Sequence, residues 1–133
     1  MLIQTYYMHL KQISEQRGRP TVVAIDLDGT LAKEMDDYKP NKIGPPIYNA
    51  KKILDKVKEL GAVIVINTCR SDQSVIRSWL DKYDIPYDHI NKNPKQPKDT
   101  SHKVMADRYW DNKQPSWRGL QYAYEELQRY MQR

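Results

Sequence analysis

The stretch Val22-Val23-Ala24-Ile25-Asp26-Leu27-Asp28-Gly29-Thr30-Leu31 limits what this chain can fold into more than any other. Its apolar opening predicts a strand buried on both faces, as strands are inside parallel sheets. The run leads straight into two carboxylates and a glycine. Ligands of open α/β sheets gather at the carboxyl ends of the strands, which is where these acids stand. With the backbone extended through Asp28, Asp26 and Asp28 point to one side and Leu27 to the other. Gly29 then allows a sharp turn or a close backbone approach to a ligand. Taken alone, Asp28-Gly29 is also an ordinary solvated turn dipeptide, so the chemistry depends on what accompanies it.

The remaining elements follow an α/β order. Ile47, Ala50, Ile53, Leu54, Val57 and Leu60 give residues 47–60 one apolar helical face, and Gly61 suits the position after its end. Residues 62–66 are a second buried strand, so strand, helix and strand form a βαβ unit with a right-handed crossover. A helix is predicted over residues 72–82 and a third strand over 87–90; residues 91–101, with three lysines and two prolines, are a loop. Residues 117–131 are a closing helix, and 2–16, with Leu2, Ile3, Tyr6, Tyr7, Leu10 and Ile13 as its stripe, an opening helix packed on the sheet. Between Leu31 and residue 47 the chain is rich in charge, proline and glycine and offers little to a core.

At 133 residues this is one domain, 1–133, with its core over 21–113. No apolar run approaches the roughly 18–20 residues of a membrane span, and the N-terminus shows no secretory signal pattern. A single cysteine, Cys69, excludes an intramolecular disulfide framework and fits a reducing cytoplasm. The net charge of +5 favours anionic partners without choosing between phosphorylated metabolites and nucleic acid.

Asn67, Thr68 and Arg70 close the second strand. A hydroxyl there can hydrogen-bond a phosphoryl oxygen, backbone N–H groups in the turn add to it, and the forked donors of Arg70 suit a phosphate or carboxylate. Thr68 as a mere helix cap is less well placed than Ser71 or Asp72. Cys69 has no base to activate it and reads as a bystander. His89, among apolar neighbours, reads as structural; Asp36 and Asp37 as a flexible acidic loop; Lys92, Lys95 and Lys98 as solvated or as an anion-binding rim.

Asp26-Leu27-Asp28-Gly29-Thr30 resembles the first motif of the haloacid dehalogenase (HAD) superfamily, and Thr68 matches its second. Lys103, Ala106-Asp107, Tyr109-Trp110 and Asp111 resemble the compressed third and fourth motifs of small, phage-type members. Asn112 departs from that pattern, standing where a second late Asp falls. The resemblance implies a Rossmann-like three-layer sandwich, a mostly parallel sheet flanked by helices, with a minimal cap or none. It implies that Asp26 is a nucleophile forming an aspartyl-phosphate, with Asp28 as the acid and base. Mg²⁺ would be held by Asp26, the carbonyl of Asp28 and a late acid. That acid is Asp111 if Arg108–Trp110 is the strand, the preferred reading, and Asp107 if 104–106 is. Thr68 and Lys103 would neutralise the phosphoryl oxygens, with Gly29, Asn67 and Arg70 completing the substrate site. The expected activity is hydrolysis of a small phosphorylated metabolite or nucleotide. The alternatives are a polynucleotide end phosphatase and a non-catalytic phosphate-binding protein.

Overall fold

The computed structural model describes residues 18–132; the helix expected over 2–16 lies outside them. Four short strands, β1 (Val22–Ile25), β2 (Val63–Ile66), β3 (His89–Ile90) and β4 (Arg108–Trp110), form one sheet in the order β3-β2-β1-β4. All pairings are parallel. Helix α1 (Ala50–Glu59) joins β1 to β2, α2 (Gln73–Lys82) joins β2 to β3, and α3 (Leu120–Met131) follows β4. This is the α/β, Rossmann-like architecture that the alternation of apolar runs and amphipathic stretches predicts.

Register sorts the side chains into two faces. Val23 stands opposite Ile64, and Ile25 opposite both Ile66 and Trp110. These residues and Ile90 share one core with Ile53, Leu54 and Val57 of α1, Ile76, Trp79 and Leu80 of α2, and Leu120, Tyr124 and Leu127 of α3. Ile25, Ile64 and Ile66 are fully buried, each contributing about 1.5–3 kcal/mol. The alternate residues Val22, Ala24 and Val65 pack on the opposite face against Val104, with Val63 and Ala106 beside them. The three helices therefore cover one face, and the irregular 91–107 connection forms the layer on the other.

Element ends follow local chemistry. The Gly61 backbone, at φ +87°, turns out of α1, and its N–H donates to the Lys58 carbonyl at 2.9 Å. Asp72 caps α2, its carboxylate accepting from Ser74 N–H at 3.0 Å and from Val75 N–H at 3.4 Å. The third strand is shorter than the predicted 87–90. Asp88 instead uses its carboxylate to accept from Ile64 N–H at 2.8 Å and from Lys58 Nζ at 2.6 Å. The closing helix starts three residues later than its apolar stripe suggests, since Gly119, at φ +95°, lies outside helical space. No helix among the described residues is long and apolar enough to cross a membrane.

From β1 the chain moves outward through β2 to β3, then returns to place β4 on the other side of β1. The direction of winding reverses beside β1. At such a reversal the carboxyl ends of neighbouring strands splay apart and leave a crevice.

Candidate active site

Three strand ends meet at that crevice. Asp26 follows β1 directly, and its N–H donates to the Trp110 carbonyl at 2.8 Å, while Asn67 N–H donates to the Ile25 carbonyl at 2.8 Å. Asp111, Asp26 and the Asn67-Thr68 pair are thereby set side by side. Together with Asp28 and Arg70 they line an open cleft of about 570 Å³. Leu27 is fully buried, so Asp26 and Asp28 face the cleft from either side of an inward residue, as the period of two requires. The Leu27 carbonyl then accepts from Thr30, Leu31 and Ala32 N–H groups at 3.0–3.2 Å, closing a tight loop in which Gly29 adopts φ +85°.

Gly29 serves packing rather than a ligand. A Cβ there would clash with the Asn112 side-chain amide. With its amide oriented to satisfy its neighbours, Asn112 donates to Asp26 Oδ2 (3.3 Å), Thr30 Oγ1 (3.1 Å) and the Asp28 carbonyl (3.3 Å). Its backbone N–H donates to Thr30 Oγ1 at 3.0 Å. The residue that departs from the motif thus touches two of the three groups expected to face a cation.

Burial, reinforced by repulsion from Asp111, Asp28 and Glu34, pushes the Asp26 carboxyl from 3.8 up to about 6, against the opposing pull of Leu27 N–H. A cation between Asp26 and Asp111 would relieve that repulsion. Among the described residues no three acidic, histidine or cysteine side chains converge on one metal position. Two carboxylates and a carbonyl nevertheless suit Mg²⁺, which keeps several waters and takes few protein oxygens.

Arg70 occupies a different place from the one its fork suggests. Only 4 % exposed, it grips Asp28 through Nε–Oδ2 (2.7 Å) and Nη2–Oδ1 (2.9 Å). Nη1 donates to the carbonyls of Lys39 (3.0 Å) and Pro40 (3.3 Å), and Nη2 to that of Lys42 (3.0 Å). The five N–H groups of a guanidinium are all committed to the protein, which corrects the expectation that Arg70 binds substrate. Thr68 keeps its expected position lining the cleft: its Oγ1 accepts a long bond from Arg70 N–H at 3.2 Å, while its own N–H donates to Asn91 Oδ1 at 2.8 Å.

Of the two late acids, Asp111 lines the cleft and Asp107 does not. Asp107 precedes β4, at the amino end of the sheet, and is corrected as a metal ligand. It accepts from Arg19 Nη1 (2.8 Å) and Nη2 (2.7 Å), Val22 N–H (2.7 Å) and the Tyr130 hydroxyl (3.0 Å). Burial raises its pKa, but these donors outweigh burial and hold the carboxyl below its usual range. Lys103 is exposed in the 91–107 segment and does not line the cleft. Lys95 lines a separate cavity, beside His89 and Met105, and Asp36 and Asp37 are exposed outside the site.

Four cleft residues escaped the sequence reading: Glu34, Met35, Tyr38 and Lys113. Lys113 Nζ pairs with Glu34 Oε1 at 3.1 Å and is the lysine that lines the cleft. Its place two residues beyond Asp111 was the available signal. Glu34 and Tyr38 belong to the 33–46 segment, whose base is held by Lys33 N–H to the Pro45 carbonyl at 2.8 Å and by Trp79 Nε1 to the Gly44 carbonyl at 2.8 Å. Among the described residues nothing but this segment and the strand ends lines the cleft.

A solved structure of a conserved protein from Bacteroides thetaiotaomicron superposes with a TM-score of 0.68 over 82% of this chain and 90% of the other, at 19% identity. The two share a fold. A target protein from Vibrio cholerae aligns over 53% of this chain and 67% of its own length at 28% identity, with a TM-score of 0.46. No family model matches the chain, and no curated protein matches it.

Proposed function

We propose that the protein is a HAD-type, Mg²⁺-dependent phosphomonoester hydrolase. The observation that carries this reading is Asp26: a half-buried carboxylate at the end of the central strand, with Asp111 and Thr68 in the same cleft. A buried acid whose ionisation is opposed by its surroundings, set in a crevice beside a second carboxylate, marks a reacting group more often than a structural one.

The chemistry follows from the residues. Asp26 attacks phosphorus, the bond to the alcohol oxygen breaks, and Asp28 gives that oxygen its proton. Water then attacks phosphorus of the aspartyl-phosphate, Asp28 takes the proton back, and Asp26 is regenerated with release of phosphate. Thr68 Oγ1 donates to a phosphoryl oxygen, and Lys113 adds positive charge at the rim. Asp26, the carbonyl of Asp28 and Asp111 would hold Mg²⁺, which when bound supplies charge against the phosphoryl oxygens. The amide of Asn112 keeps Asp26 and the Asp28 carbonyl in register.

An open cleft with no substantial cap among the described residues suits substrates that differ beyond the phosphate, and we assign the protein to phosphorylated metabolites or nucleotides in the reducing cytoplasm that one cysteine suggests. A panel of phosphomonoesters, including a nucleotide and an end-phosphorylated oligonucleotide, assayed with and without Mg²⁺, tests this. Metal-dependent release of phosphate that Asp26→Asn abolishes is the expected result. Turnover by Asp26→Asn at the wild-type rate, or no turnover of any ester, refutes it.

A further inference from the structure

Arg70 joins two parts of the molecule that are far apart in sequence. One side of its guanidinium holds both carboxylate oxygens of Asp28; the other holds the carbonyls of Lys39, Pro40 and Lys42. The Tyr38 ring closes over it, with Cζ 4.7 Å from the ring centroid. Tyr38 is itself 60 % exposed, so the segment lies as a thin cover on a buried cation. Three backbone carbonyls on one side chain are an unusual investment for a solvent-facing loop, which water could satisfy without them. They make sense where the loop must keep a fixed position relative to the group at the guanidinium's other edge.

Resting on the phosphatase reading, we infer that Arg70 is a positioning residue that fastens the 38–42 segment to Asp28, so that one side chain sets both the wall of the cleft and the direction of the proton-donating carboxylate. Substrate does not meet Arg70, because no N–H remains to receive it. The segment and the acid are energetically coupled through the fork. Loosening either loosens the other, although Asp28 makes none of the bonds to the segment.

Arg70→Lys keeps the charge but loses the planar fork, and an ammonium with three donors cannot hold all five acceptors. Asp28→Asn removes the carboxylate and leaves the segment's own residues intact. Amide hydrogen exchange across residues 38–42 reads the fastening without any turnover, and both variants are expected to accelerate it by about tenfold or more. Activity reads the positioning. Arg70→Lys is expected to lower kcat for an alkyl phosphate by about 10²-fold, the cost of a catalytic group misplaced by ~1 Å. KM should change by less than about threefold. p-Nitrophenyl phosphate, whose leaving group departs without a proton, should lose much less. A residue that merely supported the fold would slow both esters alike. Exchange that is unchanged in both variants, equal losses for the two esters, or a raised KM with kcat intact would each overturn the inference. Should the wild-type protein turn over no ester, the phosphatase reading fails, while exchange still decides the fastening.

Discussion

Asp107→Ala should cost the protein stability and leave its chemistry intact. The side chain is 5 % exposed and its partner Arg19 64 % exposed, so the ion pair itself is worth only about 0–1 kcal/mol. The larger loss comes from Val22 N–H, at the start of the central strand, which donates to Asp107 Oδ2 at 2.7 Å. Left without that acceptor it costs about 1–3 kcal/mol, and the hydroxyl bond from Tyr130 adds about 1 kcal/mol. The sum is about 2–5 kcal/mol, or a fall in Tm of about 7–18 °C for a domain of this size. Thermal unfolding followed by circular dichroism measures it, and phosphomonoesterase assays below the lowered Tm complete the test. The acid limb gives a second readout. A carboxyl held below its usual range stabilises the fold fully above about pH 4, and loses that contribution as pH falls through its depressed pKa. The variant should therefore lose less stability than the wild type on acidification. Abolished turnover with an unchanged Tm would refute the reasoning and return Asp107 to the metal.

Asp26→Asn, besides ending turnover, should raise the thermal stability of the metal-free protein. A carboxyl pushed up to about 6 opposes folding once ionised, so the gain is full above that pH and fades toward pH 4; melting curves across pH check it, and a gain that persists in acid would contradict the cause. Lys113→Ala should lower kcat/KM by about tenfold or more, since charge at the reacting phosphoryl group is worth at least this, and by more than Lys103→Ala does; steady-state kinetics decide, and the reverse ranking would restore Lys103 to the site.

Much of the site was readable because its residues abut strands. Asp26, Asp28, Asn67, Thr68 and Asp111 each follow an apolar run closely, and a parallel sheet gathers such positions at one edge whatever its helices do. The contest between Asp107 and Asp111 could not be settled locally, as each follows a short stretch that could be a strand. Asp107 is held away from the cleft by Arg19, Val22 and Tyr130, donors that lie 23 to 88 residues away. Arg70 was misread for a related reason. Its partners on the 33–46 segment are backbone carbonyls, which every residue carries and no sequence pattern marks. Lys103 was placed by motif spacing, but the 91–107 connection has no helix or strand to fix where its side chains stand.

The junction of Arg19, Asp107 and Tyr130 binds the approach to β1, the foot of β4 and the last helix at the pole of the sheet away from the cleft. What keeps the molecule folded and what could make it react are thus separated by the length of a strand. Rim loops can change length or sequence without disturbing that anchorage, which leaves a small domain free to diversify at its cleft.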